Sequence, residues 1–249
     1  MKSRSRVALL LGLMAISVTA MPASAKSVAT AQMTRAASII GAFSPALVTS
    51  SPGACSDTKY HLIDGSPRWT STLRWSYKSS TTPSYLTTTQ VVQVLKRAFN
   101  NITLERNNCG RTDRVSATSS YLGTTSHNIG VTKAGDCGSS DGASTIGFGA
   151  LPAGYLALTC VRYPDGFRIR EIDIKLATAY HFALTTGACF NAFMLEAVAT
   201  HEIGHAYGLD HVGETNHGRL TMSTFIDGTC ENQESTLGLG DMKGLEALY

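Results

Sequence analysis

The sequence predicts a single α+β domain built on a mixed β-sheet. Three observations carry that prediction. Short runs of alternating apolar and polar residues recur along the chain, long helical stripes separate and follow them, and no internal repeat appears in the 249 residues. The predicted order is strand, helix, strands, helix, helix.

Trp69 to Tyr77 opens the domain. Leu73, Trp75 and Tyr77 face one way and Thr72, Arg74 and Ser76 the other, the period of a half-buried strand. Thr87-Thr88-Thr89 then caps a helix running to about Asn101, with Val91, Val92, Leu95 and Phe99 as its inner face. Weaker strand patterns follow near 114–121 and 128–132. Residues 133–150 are rich in Gly, Ser and Asp and read as a long loop. Leu156–Arg162 reads as a strand. In the next one, Ile172, Ile174 and Leu176 alternate with Glu171, Asp173 and Lys175. Residues 189–207 read as a helix with Phe190, Met194, Val198, His201 and His205 on one stripe. The chain closes on a helix for which Asp241 is a fair N-cap and Met242, Leu245, Leu248 and Tyr249 form the apolar face.

The N-terminal part reads differently. Lys2, Arg4 and Arg6 precede the apolar run Val7–Val18, and Ala23-Ser24-Ala25 has the small-x-small form of a cleavage site. Residues 1–25 are therefore expected to be a removable signal peptide; the apolar run is well short of the ~20 residues that span a bilayer. Those three basic residues account for the whole formal net charge of +3. The mature chain is then near neutral, with no charge pattern for nucleic acid and no membrane attachment once the leader is gone. Residues 26–54 are rich in Ala, Ser and Thr and nearly aperiodic. The stretch 26–68 is a lead-in, a flexible arm or a short pro-segment, and the domain proper spans 69–249.

All six cysteines follow the leader. An even count in a secreted chain implies disulfides, and six allow 15 pairings. The sequential set, Cys55–Cys109, Cys137–Cys160 and Cys189–Cys230, is the working expectation.

The chemistry concentrates in residues 201–211, His-Glu-Ile-Gly-His-Ala-Tyr-Gly-Leu-Asp-His. They fit His-Glu-x-x-His-x-x-Gly-x-x-His. His201 and His205, four apart, share one helix face and can grip one metal ion. Glu202 lies beside them as a general base for a metal-bound water. On a continued helix His211 would be roughly 15 Å along the axis from His201. Gly208 can take the left-handed conformation that ends a helix, so His211 can return as third ligand. Three ligands with one open position is the catalytic arrangement of zinc.

This extended motif resembles the metzincin zinc endopeptidases, in which a methionine lies in a turn beneath the metal. Met222, in Leu220-Thr221-Met222-Ser223, is placed for that role. The ending Leu239–Tyr249 is similar to the closing helix of the matrixins within that clan. The resemblance spans roughly 69–249. It implies a twisted, mixed five-stranded sheet, an active-site helix and a small C-terminal subdomain after Gly208. It also implies one catalytic zinc, a protein or peptide substrate, and strand 156–162 as the edge on which that substrate pairs. Two departures stand out. Ser223-Thr224-Phe225 replaces the family's specificity-pocket wall and leaves no tyrosine two residues after Met222. The cysteine pattern of a latency pro-segment is absent around Cys55, which reads as a disulfide.

Matrixins commonly hold a second zinc and calcium. The loop 135–142 keeps acids but no histidine; Asp136 or Asp141 offers a calcium site, the other reading being a solvated turn. His127 and His181 lie on flanking segments, and His61 and His217 read as surface residues. The expected function is thus a secreted, extracellular, monomeric zinc endopeptidase. A zinc-dependent adhesion protein and a metal hydrolase of non-peptide substrates are the competing classes, and a serine hydrolase is set aside.

Overall fold

A computed structural model describes residues 29–36, 53–226 and 228–249. The leader expected over 1–25 lies outside them. The strands are β1 (Ala29–Ala36), β2 (His61–Leu62), β3 (Leu73–Tyr77), β4 (Ser119–Thr124), β5 (Ser144–Gly149) and β6 (Tyr155–Arg162). They continue with β7 (Glu171–Ala177), β8 (Phe182–Ala183), β9 (Phe193–Met194), β10 (Leu209–Asp210) and β11 (Phe225–Ile226). The helices are α1 (Thr88–Thr103), α2 (Leu195–Ala206), α3 (Glu214–His217) and α4 (Leu239–Glu246).

The expected mixed five-stranded sheet is β4-β3-β5-β7-β6. Its first four strands run parallel and β6 closes it antiparallel to β7, with Thr159 opposite Ile174. Two further strands extend it to seven: β1 lies on β6, and β11 lies on β1. The alternation of β3 is real, since Leu73, Trp75 and Tyr77 are buried while Arg74 is exposed. Trp75 stacks on Phe99 of α1 at 4.5 Å between ring centroids. Thr87 caps α1 in a reciprocal pair with Gln90.

Several expectations need correction. The loop read over 133–150 contains β5, a central strand between β3 and β7. Its sequence, Ser-Thr-Ile-Gly-Phe-Gly, carries the composition of a loop. Gly147 is there because a Cβ would stand 2.7 Å from both Ile129 Cδ1 and Thr81 Oγ1. The strand pattern near 114–121 is displaced to β4. Around 128–132 there is only an isolated bridge between Val131 and Cys137.

The polar face of β7 does not meet solvent. Glu171 and Asp173 are buried because the 129–142 loop folds over them. Arg162 enters the same space, giving Nε to Glu171 at 2.8 Å and Nη2 to the carbonyls of Gly138 and Gly130 at 2.7 and 3.2 Å. Lys175 donates to the carbonyl of Val131. The buried charges of Glu171, Arg162 and Lys175 survive because they are paired or bonded in this way. The disulfide Cys137–Cys160 pins the loop to β6. All three bridges are the sequential ones, Cys55–Cys109 and Cys189–Cys230 completing the set.

Candidate metal centre

α2 begins at Leu195, later than the stripe from 189 suggested. The chain first passes through Asn191 in the left-handed region (φ 43°) and pairs β9 with β8. Phe190, expected on the buried stripe, is 91% exposed. From Leu195 on, α2 is buried on nearly every side, packed against α1, β6 and the turn at Gln233–Ser235, so its environment and not an amphipathic stripe holds it.

Tyr207 caps the helix and Gly208 follows at φ +94°. A Cβ on Gly208 would meet the carbonyl oxygen of Pro67 at 2.3 Å, so the turn requires glycine for both conformation and space. The chain then reverses into β10, held against β2, and delivers His211.

Three imidazoles converge. The Nε2 atoms of His201 and His205 are 3.0 Å apart, those of His201 and His211 3.0 Å, and those of His205 and His211 3.1 Å. The Nδ1 atoms of His201 and His205 are committed. His201 Nδ1 donates to the carbonyl of Thr221 at 2.7 Å, and His205 Nδ1 to that of Leu209 at 2.9 Å. These bonds fix the tautomer and aim each Nε2 lone pair inward. Burial, reinforced by the neighbouring His211, pushes His201 down to about 3, and burial likewise holds His205 well below its ordinary value. Both rings are therefore neutral at neutral pH. Lone pairs facing one another need a cation between them. Zn–N bonds of about 2.0–2.1 Å in tetrahedral geometry set nitrogens about 3.3–3.4 Å apart, close to the spacing present. Among the described residues this is the group of three or more potential ligands that could hold a metal ion.

The supports lie within reach. Met222 is buried beneath α2, and a Cβ on Gly204 would stand 2.4 Å from its Sδ. Gly204, the fourth residue of the motif, is thus the contact point, which the sequence reading missed. Asp241 is not the N-cap of α4 but its third residue, fully inside. Its carboxylate accepts from the amides of Gly238 (2.8 Å), Thr221 (2.9 Å) and Met222 (3.1 Å), joining the last helix to the turn under the metal centre.

Glu202 is buried. The hydroxyl of Thr159, on β6, donates to its carboxylate at 2.5 Å. Thr159 was also invisible as a site residue, since nothing in a strand pattern marks which threonine faces a helix.

The remaining candidates fall elsewhere. His127 pairs with Asp141 at 3.1 Å, His181 packs against Tyr85, and His217 bonds Asp57 at 2.7 Å. His61 Nδ1 donates to the carbonyl of His211 at 2.9 Å, so it supports the third histidine from outside. Neither Asp136 nor Asp141 joins two other potential ligands. Gly138-Ser139-Ser140-Asp141-Gly142 fits the spacing Gly-x-Ser-x-Gly. It is not a strand-to-helix elbow, however, and the Ser140 hydroxyl donates to Glu171.

Residues 154–249, from β6 to the chain end, match the matrixin family model. Over this span the chain is similar to the matrixins, which supports a metalloendopeptidase. No curated protein matches it. The matched span contains the three histidines, Glu202, Thr159, Gly208, Met222 and α4, and similarity to that family implies catalytic zinc and protein substrates. Among the described residues no helix is long and apolar enough to cross a membrane.

Proposed function

We propose that the protein is a secreted, monomeric zinc endopeptidase in which His201, His205 and His211 hold the one catalytic zinc and Glu202 is the general base. The single observation that carries this reading is the convergence of three oriented Nε2 atoms beside a buried carboxylate. Bound zinc supplies Lewis acidity, lowering the pKa of a water and polarising the scissile carbonyl.

The chain's own residues do the rest. The carbonyls of Thr221 and Leu209 keep the ring tautomers. Glu202 takes a proton from the attacking water and delivers it to the leaving amine as the C–N bond breaks. Thr159 donates to one carboxylate oxygen and so holds the group in place. Gly208 and Met222 are structural supports of the centre. Three disulfides suit an oxidising, extracellular compartment, in keeping with the leader read in residues 1–25.

The test compares casein hydrolysis and bound zinc in wild type and Glu202→Gln. An inactive variant with undiminished zinc is the expected result; an active Glu202→Gln would overturn the assignment.

A further inference from the structure

The five-stranded sheet ends at β6, and β6 is not bare. Residues 29–36 lie on it antiparallel, from Ala29 opposite Arg162 to Arg35 opposite Tyr155. Their other side meets β11 in parallel, Arg35 opposite Phe225 and Ala36 opposite Ile226. The segment is thus threaded between the sheet edge and the stretch that follows Met222. Gln32 stands opposite Thr159, the residue bonded to Glu202, and β1 also packs against α2. An extended peptide that pairs with β6 would use the same row of backbone groups. Such a peptide and β1 cannot be present together.

We propose that residues 29–36 are a built-in occupant of the substrate edge, so that the full-length chain stays latent until this strand is displaced or removed. The proposal rests on the peptidase reading above. The blocking device is a backbone ladder and not a thiol, since the cysteines are all in disulfides among the described residues. A tethered strand acts at an effective concentration of about 1 mM, so a free peptide at micromolar concentration competes poorly even at equal intrinsic affinity. Proline in the strand removes ladder donors and opens the edge. The five-stranded sheet does not depend on it.

The experiment uses the chain from residue 26 in the Glu202→Ala background, which cannot cut itself, with intact mass establishing that the segment is present. Amide exchange is measured over 29–36 and 157–161, with and without Gln32→Pro/Met33→Pro. Slow exchange in both stretches, lost in the proline variant, is expected. A labelled peptide of the sequence Ala-Thr-Ala-Gln-Met-Thr-Arg-Ala should bind the proline variant and not its parent. Exchange of 29–36 at free-peptide rates in the parent would overturn the proposal. In the Glu202-intact background, the proline variant should cleave casein at least about tenfold faster than the unprocessed chain. Equal cleavage by both would sink the latency while leaving the peptidase standing. No cleavage by either zinc-loaded form would sink the peptidase reading, and the exchange result would still decide whether the strand fills the edge.

Discussion

Thr159 on the sheet edge and Glu202 on the buried helix are joined by a 2.5 Å hydrogen bond, hydroxyl to carboxylate. The two residues are 43 apart in sequence, and both are fully buried. A carboxylate free to rotate would spend part of its time away from the attacking water; one held by a hydroxyl on rigid structure would not. Thr159→Val should therefore lower kcat by about tenfold, or ~1.4 kcal/mol, with little change in KM, and Thr159→Ser should restore most of it. A loss confined to KM, or no rescue by serine, would count against the positioning role.

Gly204 and Met222 are similarly matched. A Cβ at Gly204 would stand 2.4 Å from Met222 Sδ. Gly204→Ala should destabilise the protein by about 1–3 kcal/mol through overpacking. Paired with Met222→Ala, much of that cost should disappear, because the clash has one partner. Denaturant midpoints of the four proteins measure the coupling; strictly additive effects would refute the contact.

The convergence of the three histidines and the turn at Gly208 were legible in the sequence because their geometry is local. Spacings of four on a helix, and a glycine where the chain must turn, need no knowledge of the rest of the fold. The disulfide pairing also matched the sequential expectation. What was not legible depended on distant contacts. β5 looked like a loop because Gly147 is dictated by Ile129 and Thr81 across the sheet. Glu171 and Asp173 looked solvent-facing because the covering loop lies more than 20 residues earlier. Asp241 looked like a cap, yet it serves the turn at Thr221 and Met222 as well. β1 pairs with β6 and β11 along its backbone, and its aperiodic sequence carried no signal.

Asp173 should make stability depend on pH. Burial, the largest cause, raises its carboxyl to about 7, and Glu171 adds to the effect. Its nearest cation, Arg162 Nη2, is 3.9 Å away. Because the folded value lies above the unfolded one near ~3.9, the group favours folding fully below about pH 4. That contribution is lost as pH rises toward 7. Asp173→Asn should thus gain stability over wild type at pH 8, on the order of 1 kcal/mol, with little difference at pH 4. Urea unfolding of both proteins at the two pH values tests this; a gain at pH 4 and none at pH 8 would reverse the sign.

Removing zinc should also loosen the fold, since an ion bound by the native state alone stabilises it by mass action. A chelator should lower Tm by several degrees in wild type and leave Tm unchanged in His211→Ala, which lacks one ligand. Equal shifts in both would place the metal elsewhere.

The central claim is that His201, His205 and His211 hold a catalytic zinc for Glu202. The most direct measurement is zinc per chain together with casein cleavage, with and without chelator, for wild type and Glu202→Gln freed of residues 26–36. The account predicts one zinc in each, chelator-sensitive cleavage by wild type and none by the variant. A wild-type protein that binds no zinc, or a zinc-loaded variant that still cleaves, would contradict it.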